Sequence, residues 1–329
     1  MSTVETVRMG LVHFKNRLFH KFKDLNDTSN EDDVVDKVVV ITGSNSGIGK
    51  VLALHMAKRG AVVVMVCRNV SKAEASMEEI KKQVPEAKLN FVRIDLSDME
   101  SVTAGAKEIK EKFDTINILV NNAGYMSDSP QTERTKAGLE KHLATNYLGH
   151  YLLTLHLLEN LKKGAPSRIV SVASTFHETA KLRSGDLNME KKVYKGPLNL
   201  FGAYMNSKRC VMLFSKELGK RLEGTQVRTY SLCPGLVDTG LFNDFSLSAK
   251  AVTKFMHVFA GCNPEQGTET LMYCSTSQEC AQDSGKAYRF SKIWSRADEL
   301  VTDDDATKLW NETEALLGIQ FREFGIMNL

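Results

Sequence analysis

The chain alternates between short, continuously apolar runs and longer stretches in which apolar residues recur at helical spacing. Apolar runs without a polar face are typical of strands covered on both sides of a parallel sheet. The clearest such run is residues 37–42, and strands are predicted at 37–42, 61–67, 89–95, 116–124, 168–174, 226–235 and 286–290. Helical spacing occupies residues 46–59, 70–83, a stretch ending at Phe113, 133–162 and about 201–223. Strands and helices in strict alternation predict an α/β fold, a doubly wound parallel sheet flanked by helices on both faces.

The N-terminal part differs from the alternating pattern. Residues 25–36 are polar and acidic, which is typical of a linker. Within residues 4–23, apolar positions at helical spacing are surrounded by arginine and lysine. An amphipathic basic helix of this kind can bind a membrane surface, or it can pack on the domain or on a partner subunit. The segment at residues 1–24 leaves the two interpretations open.

Composition narrows the classes of function. Of 329 residues, 42% are hydrophobic and 25% are charged, and the formal net charge of +3 gives no reason to expect nucleic acid as a partner. The six cysteines form no CxxC pair and no short Cys/His spacing, so neither a metal site nor a disulfide framework is expected. No signal peptide is evident, and no apolar run is long enough to span a bilayer. We expect a cytoplasmic protein, with attachment to the surface of an intracellular membrane or lipid droplet left open.

A glycine-rich turn follows the first predicted strand. Gly43, Gly47 and Gly49 come directly after Thr42 and open a helix. Gly43 permits a tight turn, and Gly47 would let the backbone approach a pyrophosphate, which the free N–H groups at a helix start attract. Placed between a strand and a helix, the turn predicts nucleotide binding, and the three glycines are expected to make room for the pyrophosphate.

The next two strand ends bear on the choice of nucleotide. In folds that bind NAD, a carboxylate near the end of the second strand usually accepts from the ribose hydroxyls. Arg68 stands there instead, and a guanidinium suits the 2′-phosphate of NADP; Lys72 is a weaker second candidate. Asp95 could accept from the adenine amino group or cap the helix that begins near Ser97. NADP(H) is therefore preferred and NAD(H) stays open, since Arg68 could also be an ordinary exposed arginine.

Side chains suited to acid–base chemistry follow the fourth and fifth strands. The amides of the NNAG motif at residues 121–124 are expected to tie neighbouring strand ends together. Asn146 lies in an apolar helix and must find a hydrogen-bond partner. Tyr204 and Lys208 are four residues apart on one helix face, where the ammonium should lower the pKa of the phenol and fit it for proton transfer near neutral pH. A lone YxxxK is frequent by chance, but with the glycine turn, NNAG and Ser174 before it, chance becomes a remote explanation.

Together these residues resemble the short-chain dehydrogenase/reductase family. The resemblance is carried by TGSNSGIG, NNAG, Asn146, Ser174, Tyr204-x-x-x-Lys208 and Pro234-Gly235, in the family's order over about residues 37–290. Stretches such as VCRN, GLEKHLATNYLGHYLLT and ATKLWNETEALLGI are similar to retinol dehydrogenases and related carbonyl reductases, out to about residue 318. The resemblance implies a Rossmann-type domain at 37–318, an inserted loop at 176–200, a substrate lid at 240–262 and a C-terminal tail at 319–329.

The resemblance also implies a role for each matching residue. Tyr204 would be the general acid/base, and Lys208 would lower its pKa and hold the nicotinamide ribose. Ser174 would orient the substrate oxygen, and Asn146 would help position a water that links Lys208 to solvent. The implied cofactor contacts are Gly43, Asn45, Ser46, Gly47, Ile48, Gly49, Arg68, Asp95, Leu96, Asn122, Ala123, Gly124, Tyr204, Lys208, Pro234, Gly235, Val237 and Thr239. Family members often form homodimers through the helices that correspond here to 133–162 and 201–223, which leaves a homodimer open.

Three features depart from the family's pattern. Thirty positions separate Ser174 from Tyr204, more than in compact members, although retinol-dehydrogenase-like members have a comparable insertion. The usual paired serines at the end of the fifth strand are Ala173-Ser174, which leaves Ser171 and Thr175 as alternatives to Ser174. The hydrophobic N-terminal anchor of many relatives is replaced by the amphipathic basic segment.

The sequence therefore predicts an NADP(H)-dependent oxidoreductase. It would reduce the carbonyl of a hydrophobic aldehyde or ketone of the retinoid, steroid or lipid kind, or oxidise the matching alcohol. One alternative is an NAD-dependent alcohol dehydrogenase of the same family. The other is a dinucleotide-binding scaffold without turnover, which would have no need for Ser174, Tyr204 and Lys208 together.

Overall fold

A sheet of eight strands forms the centre of the protein. The computed structural model describes residues 20–129, 131–191, 201–237, 245–246, 250 and 261–324. The sheet consists of β1 (Val38–Thr42), β2 (Val62–Cys67), β3 (Lys88–Arg93), β4 (Ile118–Asn121), β5 (Ser167–Val172), β6 (Val227–Cys233), β9 (Lys286–Arg289) and β10 (Lys292–Ile293). Their order is β10-β9-β6-β5-β4-β1-β2-β3, and every neighbouring pair is parallel except β9 and β10. The predicted doubly wound parallel sheet is confirmed.

Helices cover both faces of this sheet. They are α1 (Gly47–Lys58), α2 (Val70–Gln83), α3 (Met99–Lys112), α4 (Lys141–Leu143), α5 (Gly149–Lys163), α6 (Gly202–Arg221), α7 (Pro264–Thr276), α8 (Ser295–Leu300) and α9 (Asp303–Leu317), with 3₁₀ turns at Thr175–Thr179 and Phe321–Phe324. A separate parallel pair, β7 (Leu236–Val237) with β8 (Gly261–Cys262), joins the two ends of the segment expected to form the lid. Within the described residues, none of the helices is both long and apolar enough to cross a bilayer.

The core is divided by the sheet into two apolar layers. In β1, Val38 and Val40 belong to one layer, whereas Val39 and Ile41 belong to the other, because successive strand residues point to opposite faces. The first layer packs against α3, α5, α6 and α9, and the second packs against α1 and α7. Burial on both faces explains why β1 is an almost unbroken apolar run.

The helix predicted at residues 133–162 begins later than its sequence pattern indicates. Residues 133–140 form a turn in which Gly138 has φ +78° and Arg134 bridges to Glu140. The Glu140 carboxylate then accepts from the N–H groups of His142 and Leu143, which starts α4 at Lys141. A side chain that satisfies first-turn donors fixes a helix start more firmly than apolar spacing does.

The C-terminal helix covers α5 and α6. Trp310 of α9 is 1% exposed and meets the rings of Tyr151 and Phe214, with ring centres 5.1 and 6.0 Å away. The hydroxyls of Tyr147 and Thr313 lie 2.7 Å apart at the same contact. These are the helices through which a homodimer was considered, so any pairing at this face would have to include α9.

The predicted linker and tail both pack on the domain. Leu25 and Val34 are buried in the second apolar layer, and the Arg168 guanidinium donates to Asp32 at 2.5 Å. Phe321 stacks edge-on against Trp310 with ring centres 5.0 Å apart. The predicted linker at residues 25–36 is therefore fastened to the domain by two apolar side chains and an ion pair.

Candidate active site

The carboxyl ends of the central strands open into one cleft of about 1030 Å³. Ligands of doubly wound sheets bind at this edge, where the strand order reverses between β1 and β4. Residues predicted from the sequence line it: Gly43, Asn45, Ser46, Gly47, Ile48, Gly49, Arg68, Asp95, Leu96, Asn122, Ala123, Gly124, Ser174, Tyr204, Lys208, Pro234, Gly235 and Val237. Thr239 lies outside the described residues, and Asn146 lies behind the wall of the cleft with its amide turned to Tyr125.

The turn between β1 and α1 has the backbone that its glycines predict. Gly43 has φ +65° and Gly47 has φ +55°, which are left-handed values that favour glycine. Ser46, the N-cap of α1, makes no capping hydrogen bond with its side chain, so the first-turn N–H groups remain for an anion in the cleft. This arrangement fits the pyrophosphate of a dinucleotide. A Cβ on Gly49 would lie 2.4 Å from the Asn122 amide nitrogen, so this position also needs glycine for packing within the protein.

A buried hydroxyl at Thr42 holds the loop after β4. Its Oγ1 accepts from the N–H groups of Asn122 and Ala123, each at 2.9 Å. It also lies 2.9 Å from Nε2 of His150, whose Nδ1–H donates to the Asn146 carbonyl at 3.1 Å. Because Nδ1 carries the proton, Nε2 is the acceptor and the Thr42 hydroxyl donates to it. The Asn122 amide donates to the Thr42 carbonyl at 2.8 Å, so NNAG ties β4 to β1 as expected.

Tyr204, Ser174 and Lys208 lie together at the cleft that the glycine turn also lines. Tyr204 and Lys208 lie one turn apart on α6, with the lysine Nζ 5.8 Å from the centre of the phenol ring. Ser174 follows β5 and lines the same cleft as the phenol. Its Oγ accepts from the N–H of Phe176 at 3.3 Å, which leaves its own proton free to donate. Lys208 donates to the Val172 carbonyl at 2.8 Å, and this bond ties α6 to β5.

Burial controls the proton affinities of these groups. It raises the pKa of Tyr204 well above that of an ordinary phenol, while the hydrogen bond with Ser174 acts in the opposite direction. Burial also lowers the pKa of Lys208 to about 8, and the nearby Cys233 raises it. The sequence argument expected the lysine to lower the tyrosine pKa. In this structure Lys208 is turned to the Val172 carbonyl, and burial dominates and raises the pKa of Tyr204, so a lowering by the lysine stays a prediction.

Asn146 lies in a π-helical turn, Ala144–Leu148, between α4 and α5. Its Oδ1 accepts from the Tyr125 N–H at 2.7 Å, and its Nδ2 donates to the Tyr125 carbonyl at 3.0 Å. Nδ2 also donates to the Ser207 hydroxyl at 2.9 Å, and Ser207 donates to the Tyr204 carbonyl at 2.8 Å. The buried amide of Asn146 thus finds its partners in two places, the segment that follows β4 and the helix α6. The water-positioning role of Asn146 stays a prediction.

Arg68 lies at the mouth of the cleft. Its side chain is 70% exposed, and its guanidinium lies 3.8 Å from the Asp95 carboxylate. Asp95 accepts from the N–H and the hydroxyl of Ser97 at 3.0 and 2.7 Å. Capping of the following helix was one of two roles left open for Asp95, and Asp98 performs it instead. Asp95 is therefore available to the cleft, and the guanidinium can turn towards a ligand there.

An apolar wall stands beside the phenol of Tyr204. Met126, Phe176, Phe201 and Phe245 cluster around it. The Phe176 ring meets the phenol edge-on at 5.9 Å between centres, and the Phe201 and Phe245 rings are also 5.9 Å apart. Phe245 belongs to the expected lid, most of which lies outside the described residues. The surroundings of the phenol suit an apolar group.

Several polar residues that shape the cleft escaped the sequence analysis. Glu140, His142 and His150 lie in the same helical region as Asn146, and Thr42 lies beneath the glycine turn. A signal for the two histidines was present, because His142, Asn146 and His150 recur every four residues in an otherwise apolar stretch. Buried polar groups at that spacing each require a partner.

Solved structures share this architecture. An uncharacterised protein from Mycobacterium paratuberculosis matches with a TM-score of 0.69 and 27% identity, covering 92% of this chain and 99% of its own. L-sorbose reductase from Gluconobacter frateurii, complexed with NADPH and L-sorbose, matches with a TM-score of 0.62 and 24% identity, covering 78% and 95%. The second likeness concerns the fold alone. The fold is the Rossmann type, with its dinucleotide edge at the cleft.

The sequence places the chain within one family of that fold. The family model described as short chain dehydrogenase matches residues 37–182. Human retinol dehydrogenase 12 is 38% identical over 285 residues, which is 87% of each chain, and human retinol dehydrogenase 13 is 34% identical over 288 residues, 86% of this chain and 85% of its own. The chain belongs to the short-chain dehydrogenase/reductase family and resembles retinol dehydrogenases. It is an oxidoreductase of alcohols and carbonyls that uses a nicotinamide dinucleotide.

Proposed function

We propose that the protein reduces the carbonyl of a hydrophobic aldehyde or ketone with NADPH, and oxidises the matching alcohol in reverse. The observation that supports this most is the meeting of Tyr204, Ser174 and Lys208 at one end of the dinucleotide cleft, against an apolar wall. Carbonyl reduction requires a proton donor, a hydroxyl that orients the carbonyl oxygen and a group that restores the proton. Tyr204, Ser174 and Lys208 can supply these three functions.

Tyr204 and Ser174 would act on the substrate oxygen. A nicotinamide bound in the cleft supplies a hydride to the carbonyl carbon. Tyr204 would give its phenolic proton to the carbonyl oxygen, since its raised pKa keeps the phenol protonated at neutral pH. Ser174 would donate a second hydrogen bond to that oxygen, because its Oγ already accepts from the Phe176 N–H. In the alcohol-oxidising direction the same phenol would have to be deprotonated.

Lys208 would restore the phenol's proton. With a pKa of about 8, its amine can release and recover a proton near neutral pH more readily than an exposed lysine. Its bond to the Val172 carbonyl holds it 5.8 Å from the phenol ring, so a hydroxyl or water would have to bridge the two. Asn146 is proposed to position that water from the far side of α6.

A preference for NADP(H) is proposed from the end of β2. Arg68 is exposed at the cleft, and its ion pair with Asp95 is long at 3.8 Å. An accessible guanidinium can form a bidentate pair with the 2′-phosphate that NADP carries and NAD lacks. Lys72 lines the same part of the cleft and adds positive charge.

The substrate class is proposed from the apolar wall around Tyr204. Three phenylalanines and Met126 surround the phenol, which favours a retinoid, steroid or lipid-like carbonyl over a sugar. Relatives named retinol dehydrogenase point to the same class. We also keep as proposals a peripheral membrane contact or lipid-droplet location through residues 4–23 and a homodimer; residues 1–19 lie outside the described part of the chain.

The test is NADPH oxidation by the purified protein, followed by nicotinamide absorbance with retinals, steroids, long-chain aldehydes and quinones. Tyr204→Phe should lower kcat by about 10²–10⁴, the usual contribution of a positioned acid, while NADPH binding is retained. Tyr273→Phe is the matched control, since Tyr273 lies on α7, away from the cleft, and its hydroxyl donates to Glu279.

Two results would favour the alternatives. If NADPH binds but no carbonyl turns over, and a cellular effect persists in Tyr204→Phe, the protein is a dinucleotide-binding scaffold. If NADH supports turnover as well as NADPH, and Arg68→Ala leaves that ratio unchanged, it is an NAD-dependent alcohol dehydrogenase.

A further inference from the structure

A stripe of polar residues runs through the apolar helical region before β5. His142, Asn146 and His150 recur every four residues, and they are 6%, 1% and 4% exposed. Asn146 holds Tyr125, and His150 holds Thr42. His142 belongs to the same stripe, although none of the chemical steps above uses it.

His142 is paired with a completely buried carboxylate. Glu140 is 0% exposed, and its oxygens accept from the backbone N–H groups of His142 and Leu143 at 3.0 and 2.7 Å. The same carboxylate lies 2.8 Å from Nδ1 of His142. An ionised carboxylate only accepts hydrogen bonds, so Nδ1 must carry a proton. The pair thereby fixes the orientation of the imidazole and leaves Nε2 to act on the opposite side.

Nε2 of His142 accepts from the backbone N–H of Ser127 at 3.2 Å. Asn146 holds the same segment two residues earlier, through both backbone groups of Tyr125. Met126 stands between these two attachment points. It is 3% exposed and belongs to the apolar cluster that contains Tyr204.

The imidazole also contacts both aromatic neighbours of that segment. Its ring centre is 4.9 Å from that of Tyr125 and 6.4 Å, edge-on, from that of Tyr204. One residue beyond Ser127, Asp128 accepts from the backbone N–H of Ser246 at 3.2 Å. The held segment therefore connects the phenol to the part of the expected lid that the structure describes.

We propose that Glu140 and His142 are positioning residues that set the depth of the substrate pocket. They hold the Ser127 N–H and so keep Met126 against Tyr204. Their loss would let the wall shift and would weaken binding of a bulky carbonyl more than that of a small one. The kinetic part of this inference rests on the carbonyl reduction proposed above.

Two substitutions separate this role from simple helix capping. In His142→Gln, the amide oxygen can reach the position of Nε2 and accept from Ser127, but the donor to Glu140 is lost. In His142→Asn, the amide nitrogen can replace Nδ1 and donate to Glu140, but the acceptor for Ser127 is lost. His156→Asn is the matched control, because His156 lies on the other side of α5 beside Phe324.

The kinetic experiment compares all-trans-retinal with propanal, using NADPH. For His142→Asn we expect KM for retinal to rise about tenfold, the usual effect of leaving one buried N–H unpaired, with kcat and the constants for propanal unchanged. His156→Asn should resemble the wild type, and His142→Gln should lose less than His142→Asn, because it keeps an acceptor for Ser127 and loses only the bond to Glu140. Equal losses for both substrates, or a loss in His142→Gln but not in His142→Asn, would overturn the proposal. If His142→Asn does not fold, Met126→Ala tests the role of the pocket wall. An unchanged preference between retinal and propanal in Met126→Ala would overturn the proposal equally.

A second measurement needs no catalytic activity. Amide hydrogen exchange of the full-length protein, read on peptides that cover residues 125–129, should be faster in His142→Asn than in His142→Gln or the wild type. Equal exchange in all three proteins would refute the attachment of Ser127 to His142. If the wild type turns over no carbonyl, the proposed function fails, and the exchange comparison still decides the role of His142.

Discussion

Two buried histidines should make the active site sensitive to acid. Burial lowers the pKa of His150 and the pKa of His177 to about 4. His150 joins Thr42 to the Asn146 carbonyl, and His177 donates from Nδ1 to the Ser174 carbonyl at 2.8 Å. The informative change is His150→Asn, since an asparagine amide can still donate to the Asn146 carbonyl but does not titrate.

The sign of the effect follows from the two pKa values. An unfolded histidine has a pKa of about 6.5, so between about pH 6.5 and pH 4 the unfolded chain binds more protons than the folded one. The stability due to neutral His150 is complete above that range and is lost as the pH falls through it. At about pH 5 the loss is about 2 kcal/mol for each such histidine, and it approaches about 3 kcal/mol when the folded ring is protonated.

The assay is urea unfolding of the wild type and His150→Asn at several pH values between about 5 and 8. The variant should be less stable at the upper end, because the Thr42 hydroxyl loses its acceptor on His150 at 2.9 Å and keeps only the longer contact with the Val120 carbonyl at 3.3 Å. Near pH 5, its unfolding free energy should depend less steeply on pH, by about 1 kcal/mol per unit. His177→Asn should behave similarly. His156→Asn should change the slope less, since burial lowers that pKa too but the ring is only half-buried. An unchanged slope in His150→Asn would refute the assignment of His150 as a neutral buried brace.

Three further changes test other parts of the molecule. Arg68→Ala should weaken NADPH binding about 10- to 100-fold and leave NADH binding unchanged, as measured by nicotinamide fluorescence; equal losses for both would contradict the 2′-phosphate role. Trp310→Ala should lower the unfolding free energy in urea by about 3–5 kcal/mol with NADPH affinity retained, because the ring fills the space between α9 and α6, and unchanged stability would contradict that packing. Gly43→Ala would place a Cβ 2.9 Å from the Ala123 backbone at φ +65°, so NADPH affinity should fall, whereas Gly224→Ala, also at positive φ but with open space around it, should keep that affinity. If both glycine variants bind NADPH alike, close packing at the turn is not what requires Gly43.

The sheet and most of the cleft could be predicted because their signals are local. The strands β1 and β2 are almost entirely apolar, and a parallel sheet brings the residues after its strands to one edge. Gly43, Ser174 and Tyr204 each sit at or just after such an end or on a helix that faces it. The order of motifs along the chain was therefore enough to place them together.

The helices of the C-terminal third were not predicted, although the sequence contains local signals for them. Asn263 and Gln266 form a capping box around Pro264, which starts α7. Thr302 caps α9, and three aspartates fill its first turn. These signals announce helices but not their places in the fold. The packing of Trp310 on Tyr151 depends on side chains that are far apart in sequence, and no periodicity encodes it.

The spacing of Tyr204 and Lys208 in the sequence is not enough to predict the pKa of the phenol. The four-residue spacing from Lys208 correctly brings the amine to the phenol, but spacing says nothing of where the amine points or how much water remains. In the structure the amine donates to Val172 and the phenol is 4% exposed, so desolvation outweighs the charge. A bridging hydroxyl between the two would change that balance, because it would stabilise the phenolate by a hydrogen bond and not only by distant charge. The lowered pKa of Lys208 and the raised pKa of Tyr204 have one main cause, which is the burial of both side chains.

The stripe of His142, Asn146 and His150 carries the same lesson further. An apolar helix can bury three polar side chains only if the fold supplies a partner for each, and here all three partners lie along the ends of β1 and β4. Their spacing could be read from the sequence, whereas the partners could not, because Thr42 is 108 residues from His150. Since both histidines donate from Nδ1, each presents Nε2 as an acceptor towards the cleft. The helical region thus holds the glycine turn through His150 and the pocket wall through His142. A change at His150 should therefore affect the dinucleotide, whereas a change at His142 should affect the carbonyl substrate.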